Sequence, residues 1–275
     1  NGVQDPLLMR RALEYAEGLG ITLAQHCEVE RLTGGAVMHE GDCCSRLGLP
    51  GWPSIAEELM LHRDIELVRL TGVGMHFLHL STAGSVELVR RAKADGLPVT
   101  AEATPHHFSL TDERLASYDA LYKVNPPLRT SADITAIRAG LADGTIDAIA
   151  TDHAPHAPET KERPLDEAPP GMLGLETALG VSLASLDMPL ADVLAALSWR
   201  PAAIAGIDDR HGRPIVPGEP ANLTILDPDA EWEVVPARLA SKSRNTPYVG
   251  LPLRGRVRHT ILDGTPVVVD GTAVQ

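Results

Sequence analysis

A chain of 275 residues, 44% hydrophobic and 22% charged, is long enough to bury a large core. Its apolar runs are far too short to cross a bilayer as a helix, which excludes a helical membrane protein. The 24 Lys+Arg against 37 Asp+Glu leave a formal net charge of −13, which repels a phosphate backbone, argues against a nucleic-acid partner and suits a small-molecule substrate.

Three cysteines, Cys27, Cys43 and Cys44, cannot build a disulfide framework, because two are adjacent and the count is odd; a reducing, cytoplasmic setting follows. Asp5 before Pro6 is an N-cap with a first-turn proline, and the apolar spacing after it predicts a helix over 6–18 that stops at the glycines 18 and 20. The segment 21-ITLAQHCE-28 begins apolar and ends polar, the pattern of a buried parallel strand with a functional tip. Residues 29–53 read as a long loop with room for one short helix. Ser54 with Glu57 has capping-box spacing for a helix to about residue 70, and 74-GMHFLHLST-82 follows as a strand. A helix over 84–94, a strand over 97–105, a polar helix over 111–117, a helix over 131–142 and a strand over 146–151 continue the alternation. Helices are expected over 174–186, 189–198 and 201–206. From about 212 short runs at 222–227, 231–235, 256–264 and 265–271, bounded by turn signals, predict a small antiparallel sheet.

Alternating helix and strand with polar strand ends predicts an α/β fold of the parallel-barrel type, in which all C-terminal strand tips face one mouth. His26, His79 and Asp152 each stand at such a tip, so residues far apart in sequence can converge. Two imidazoles and a carboxylate suit zinc or a similar borderline cation. A lone histidine at a strand end is more often structural, and it is the matched position of the three that favours a metal site. His39, His62, His76, His211 and His259 read as structural or surface residues, and Cys27 is turned away from His26 by strand alternation. Two loops, 123-KVNPPLR-129 and 168-APPGMLGLET-177, could frame a ligand with an amide and with close backbone.

Read together, 24-AQHCE-28, 78-LHLSTAGSVELVRRAK-93, 100-TAEATPHHFSLTDE-113, 123-KVNPPLR-129, 149-IATDHAPH-156, 166-DEAPPGMLGLETAL-179 and 241-SKSRNTPYVG-250 resemble the dihydroorotases of the amidohydrolase superfamily over nearly the whole chain. The resemblance implies a TIM-like (β/α)8 barrel flanked by a small β-sandwich, with residues 1–211 from the barrel and 212–275 from the sandwich. It implies His26, His79 and Asp152 as ligands of one or two zinc ions, Asp152 also as acid/base, and Asn125, His156 and the backbone at Gly171 as substrate contacts. His153 is assigned a supporting role and Arg129 a structural one. The implied reaction is the reversible hydrolysis of dihydroorotate to N-carbamoyl-aspartate in pyrimidine biosynthesis, by a metal-bound hydroxide with Asp152 moving the proton. Allantoinases and hydantoinases share the barrel and are the nearer alternative; a noncatalytic dihydroorotase-like subunit, of the kind that partners aspartate transcarbamoylase, is the other.

The family's first-strand His-x-His motif, the arginine of that strand and the carboxylate or carbamylated lysine of the fourth strand have no counterpart in these 275 residues, where no His-x-His occurs. The chain therefore corresponds to the last four strands of the barrel, and its helix-first start at Asn1 without Met suggests an upstream half or a separate chain that carries the rest. Two raw sheet edges are expected, at strands 21–27 and 146–151. Alone, the 275 residues are expected to bind metal weakly and not to turn over.

Overall fold

The computed structural model describes residues 2–274. In chain order it contains α1 (Pro6–Leu19), β1 (Leu23–Gln25), α2 (Glu30–Thr33), β2 (Met38–His39), α3 (Asp42–Leu47), β3 (Gly51–Trp52), α4 (Ile55–Thr71), β4 (Met75–Phe77), α5 (Ala83–Ala94) and β5 (Val99–Ala103). There follow α6 (Ser131–Asp143), β6 (Ala148–Ile149), α7 (Pro158–Lys161), α8 (Ala178–Ser185), α9 (Leu190–Leu197), α10 (Trp199–Ile204), β7 (Leu223–Glu233), β8 (Pro252–Leu262), β9 (Thr265–Val269) and β10 (Thr272–Ala273).

The first sheet runs β1-β4-β5-β6, and every neighbouring pair is parallel. Each strand thus lies beside the next barrel strand in sequence, as in half of a parallel α/β barrel, and β1 and β6 form its edges. One face packs on helices: Met75, Phe77, Val99 and Ala101 are buried with Met9 and Leu13 of α1 and Leu61, Ile65 and Val68 of α4. The alternate positions of β5, Thr100 and Glu102, are half-exposed, because this is the concave face that a closed barrel would cover. The termini of the helices follow local chemistry. Asp5 accepts from the Leu8 amide at 2.7 Å and Gly20 closes α1 in the left-handed region at φ 64°. Thr130 and Asp133 form a reciprocal capping box on α6.

The second sheet, β10-β9-β8-β7, is antiparallel throughout. It docks through α8: a Cβ on Gly180 would lie 3.0 Å from Leu253 Cδ1, so the absent side chain lets helix and sheet approach. Leu253 and Val234 share one buried cluster with Phe108, Leu128 and Ile137.

Several expectations are corrected. Residues 29–53 are two short helices and a two-stranded parallel sheet, β2 with β3, organised by buried Val37, Met38, Cys43, Cys44 and Trp52. Ser54 makes no cap: its backbone is already helical, and Glu57 is drawn inward to accept from the Ser81 and Thr82 amides at 3.0 and 3.3 Å and from the Ser81 hydroxyl. The polar segment near 111–117 is a 3₁₀ helix, Asp112–Ser117. The helix expected from 174 starts at Ala178; residues 174–177 form a turn whose Gly174 and Leu175 amides donate to His153 Nδ1 at 3.1 and 3.3 Å. The runs at 222–227 and 231–235 are one irregular strand, β7.

Candidate active site

His26 follows β1 by one residue, His79 follows β4 by two, and Asp152 follows β6 by three. His26 Nδ1 and His79 Nε2 face each other at 3.0 Å, their rings edge-on with centroids 4.8 Å apart. His26 Nε2 lies 2.9 Å from Glu28 Oε2. An ionised carboxylate only accepts, so Nε2 of His26 carries the proton and Nδ1 keeps its lone pair for the mouth. Burial raises the Glu28 carboxyl, but hydrogen bonds from His26, from the Thr33 hydroxyl at 2.5 Å and from Asn125 Nδ2 at 3.2 Å outweigh it and leave its pKa below the usual value. Burial, with the neighbouring His26 charge, pushes His79 down to about 4, so at neutral pH it is the neutral imidazole that a metal requires.

His79 is positioned from the next strand. Its backbone amide donates to Glu102 Oε1 at 3.3 Å, while Glu102 Oε2 meets His76 Nε2 at 3.1 Å and His76 Nδ1 meets Thr100 Oγ1 at 2.8 Å. Both His79 (φ 33°) and Asp152 (φ 43°) sit in the left-handed region, which non-glycine residues occupy at a cost and which recurs at functional sites. Asp152 is reached by solvent, yet the surrounding protein desolvates its carboxyl enough to raise its pKa; His26 opposes the rise and Glu102 adds to it.

The donor set fits a borderline cation by residue type: two imidazole nitrogens 3.0 Å apart, that of His79 held neutral by burial, a carboxylate close enough to interact with His26, and a buried His79 Nδ1 that has no partner among the described residues. Among the described residues no three His, Cys, Asp or Glu side chains are gathered closely enough to hold an ion by themselves.

The remaining sequence-predicted residues fall in two groups. Asn125, at the cis Asn125–Pro126 bond, donates to Glu28 and leaves its Oδ1 buried without a partner, which ties it to the His26 side of the mouth. His156 and Gly171 belong to the Asp152 side. His156 Nε2 is 2.9 Å from Pro170 O. Gly171 has φ 132°, and a Cβ there would meet Ala154 Cβ at 2.6 Å and His156 Nε2 at 2.8 Å. Both backbone groups of Gly171 are already used: its amide donates to Lys123 O at 2.9 Å, and its carbonyl accepts from Lys161 Nζ at 3.0 Å. This position therefore shapes the loop and makes room for His156, rather than offering a free amide.

His153 turns away from the mouth to hold the 174–175 turn, and Cys27 is buried, its thiol pushed well up by burial and by Asp64 and Glu57. Arg129 is buried, donating to Ser81 Oγ at 3.0 Å and Trp52 O at 2.9 Å, with Glu57 at 3.9 Å. Sequence reasoning missed Glu28, the Glu102–His76 pair and Asn245. Glu28 had a signal, two residues beyond a strand-tip histidine and hence on the same side; Asn245 stands in the 241–250 motif, but nothing local reveals its role, since its contacts lie about 90 residues away.

A model of the amidohydrolase family matches residues 4–267. The chain belongs to the amidohydrolase family. It is 53% identical over 268 residues to the dihydroorotase of Mycobacterium leprae (strain TN), covering 96% of this chain and 62% of that protein. It is 53% identical over 273 residues to the dihydroorotase of Streptomyces coelicolor (strain ATCC BAA-471 / A3(2) / M145), covering 98% of this chain and 64% of that protein. The resemblance read from the motifs is thereby borne out, and the chain spans less than two thirds of the length of these curated relatives. Among solved structures, L-hydantoinase (dihydropyrimidinase) from Arthrobacter aurescens superposes with a TM-score of 0.87 at 25% identity, over 98% of this chain and 62% of that one. D-hydantoinase (dihydropyrimidinase) from Thermus sp. gives 0.85 at 24%, with the same coverage, and shares the fold.

Proposed function

We propose that this chain is the C-terminal portion of a zinc-dependent dihydroorotase, which opens and closes the cyclic amide of dihydroorotate in pyrimidine biosynthesis, in the cytoplasm. The observation that carries it is the facing pair His26 Nδ1 and His79 Nε2 at adjacent strand tips, with Asp152 beyond them, in a chain half identical to proteins named dihydroorotase. His26, His79 and Asp152 would hold one or two zinc ions, with the remaining ligands from an upstream segment or another subunit that pairs with the sheet edges. The bound ion would supply Lewis acidity and lower the pKa of water.

This chain's own residues account for the rest. Asp152, with its raised pKa, takes the proton of the attacking water and returns it to the ring nitrogen as the carbon–nitrogen bond breaks; ring closure runs the same transfer backwards. Asn125 offers the uncommitted Oδ1 to a ring N–H, and His156 faces the substrate from the opposite loop. Glu28 keeps His26 in the tautomer that leaves Nδ1 free.

The test is hydrolysis of dihydroorotate, hydantoin and allantoin by the full-length protein with measured zinc content. Faster turnover of hydantoin or allantoin would replace this substrate. Turnover by the 275-residue chain alone would overturn the need for the upstream part, and an intact zinc-loaded protein that hydrolyses none of the three would leave the noncatalytic reading.

A further inference from the structure

The motif 241-SKSRNTP-247 is one of the segments that carry the family resemblance, and it lies outside the metal-binding and substrate-contact residues. Its Asn245 is 4% exposed and comes from the stretch between the 3₁₀ turn Pro236–Arg238 and β8. The side chain reaches two other loops. Oδ1 accepts from the His156 amide at 3.1 Å, and Nδ2 donates to Ala154 O at 2.9 Å and to Gly171 O at 3.3 Å. The Asn245 carbonyl accepts from the Leu173 amide at 3.0 Å. One residue therefore bonds to both sides of the loop after Asp152 and both sides of the Gly171 turn.

Each atom of the carboxamide is committed, both N–H groups and the oxygen, and no other side chain of that size supplies two donors and an acceptor in one plane. An aspartate would turn a carboxylate oxygen toward two carbonyls. Lys161 supports the same turn from beneath, donating to Pro169 O and Gly171 O at 3.0 Å each. Direct bonds between the loops are the Ala154 amide to Met172 O at 3.0 Å, His156 Nε2 to Pro170 O at 2.9 Å, and the Gly174 and Leu175 amides to His153 Nδ1 at 3.1 and 3.3 Å; none of them joins either loop to the 241–247 segment. His156 and Asn245 also line one cleft of about 410 Å³, so the junction lies beside open space and has to hold its shape without packing on that side.

We propose that Asn245 is a positioning residue that locks the His156 loop and the Gly171 turn into the wall that receives the substrate ring. This rests on the dihydroorotase reading for the identity of the substrate, but not for the locking itself. The test uses the full-length zinc protein with N245A and N245D. The expected result is a KM for dihydroorotate raised about tenfold or more with kcat within about threefold, the pattern of lost ground-state binding. Amide hydrogen exchange without substrate should accelerate about tenfold at residues 153–157 and 171–174 and stay unchanged in α4 and β4.

Unchanged KM and unchanged exchange would overturn the proposal. So would a joint loss of kcat and stability with exchange raised along the whole chain, which marks a residue of general structure. Should N245A fail to fold, N245D decides: it keeps the size and the acceptor toward His156, and the proposal requires loosening centred on Gly171. A wild-type protein inert toward dihydroorotate would overturn the substrate, while the exchange comparison would still decide the locking.

Discussion

The mouth of the half-barrel and the antiparallel sheet β7–β10 spend their polar residues differently. At the mouth, buried and partly buried side chains are chained together: His26 to Glu28 to Asn125, His76 to Glu102 to His79, and Arg129 to Ser81 beside Glu57. In the sheet, Arg258 meets Asp227 at 3.1 Å with both about two-fifths exposed, and apolar Ile225 and Leu262 are nearly half exposed. Water stands in for a lost partner in the second region and cannot in the first, so the same kind of contact carries different weight in the two. The mouth is the part of the chain in which geometry is over-determined.

Substitutions make that contrast measurable. Arg129→Ala leaves Glu57 buried without its counter-charge and should cost about 3–5 kcal/mol in urea unfolding. Arg129→Lys should recover little, because one ammonium cannot reach Ser81 Oγ and Trp52 O as the fork does. Lys161, buried among carbonyls and beside Lys123, has its pKa pushed down to about 8 from an ordinary 10.5. The unfolded chain then binds more protons than the folded one between those values, so stability should climb as pH rises through that window, by up to about 3 kcal/mol. Lys161→Met should flatten the climb in unfolding curves measured across that range.

Gly171→Ala forces a side chain onto φ 132° and against His156, and should cost about 1–3 kcal/mol together with substrate affinity. The smallest effect belongs to the sheet: Arg258→Ala should change stability by less than about 1 kcal/mol. A loss there equal to that of Arg129→Ala would break the contrast between the two regions.

Where sequence alone succeeded, local chemistry and tertiary structure agreed. Asp5–Pro6 starts α1, and the apolar-to-polar course of 21–28 and 74–82 marks two parallel strands whose tips carry His26 and His79, which do meet. The antiparallel character of the C-terminal runs followed from their turns. Where it failed, a distant partner outbid a local pattern. Ser54 and Glu57 have capping-box spacing, but the buried Ser81 and Arg129 claim the Glu57 carboxylate. The helix expected from 174 begins only at Ala178, and the turn before it is fastened to His153, 21 residues earlier. The backbone at Gly171, expected as a substrate contact, has its amide on Lys123 O and its carbonyl on Lys161 Nζ, partners far from it in sequence or outside any local pattern. Periodicity cannot see such contacts, since each couples segments that share no local pattern.

The sequential strand order has a consequence for how the molecule comes into being. The apolar layer of α1, α4 and α5 against β1, β4 and β5 draws all its residues from Met9–Ala101, so it can close as soon as that length of chain has left the ribosome. The second layer joins Val37 and Met38 to Val234, Tyr248 and Leu253, and must wait for nearly the last strand. Asn245 arrives with that late segment. The loop after Asp152 and the Gly171 turn are therefore fastened together near the end of synthesis, when the strands that carry His26 and His79 have long been paired.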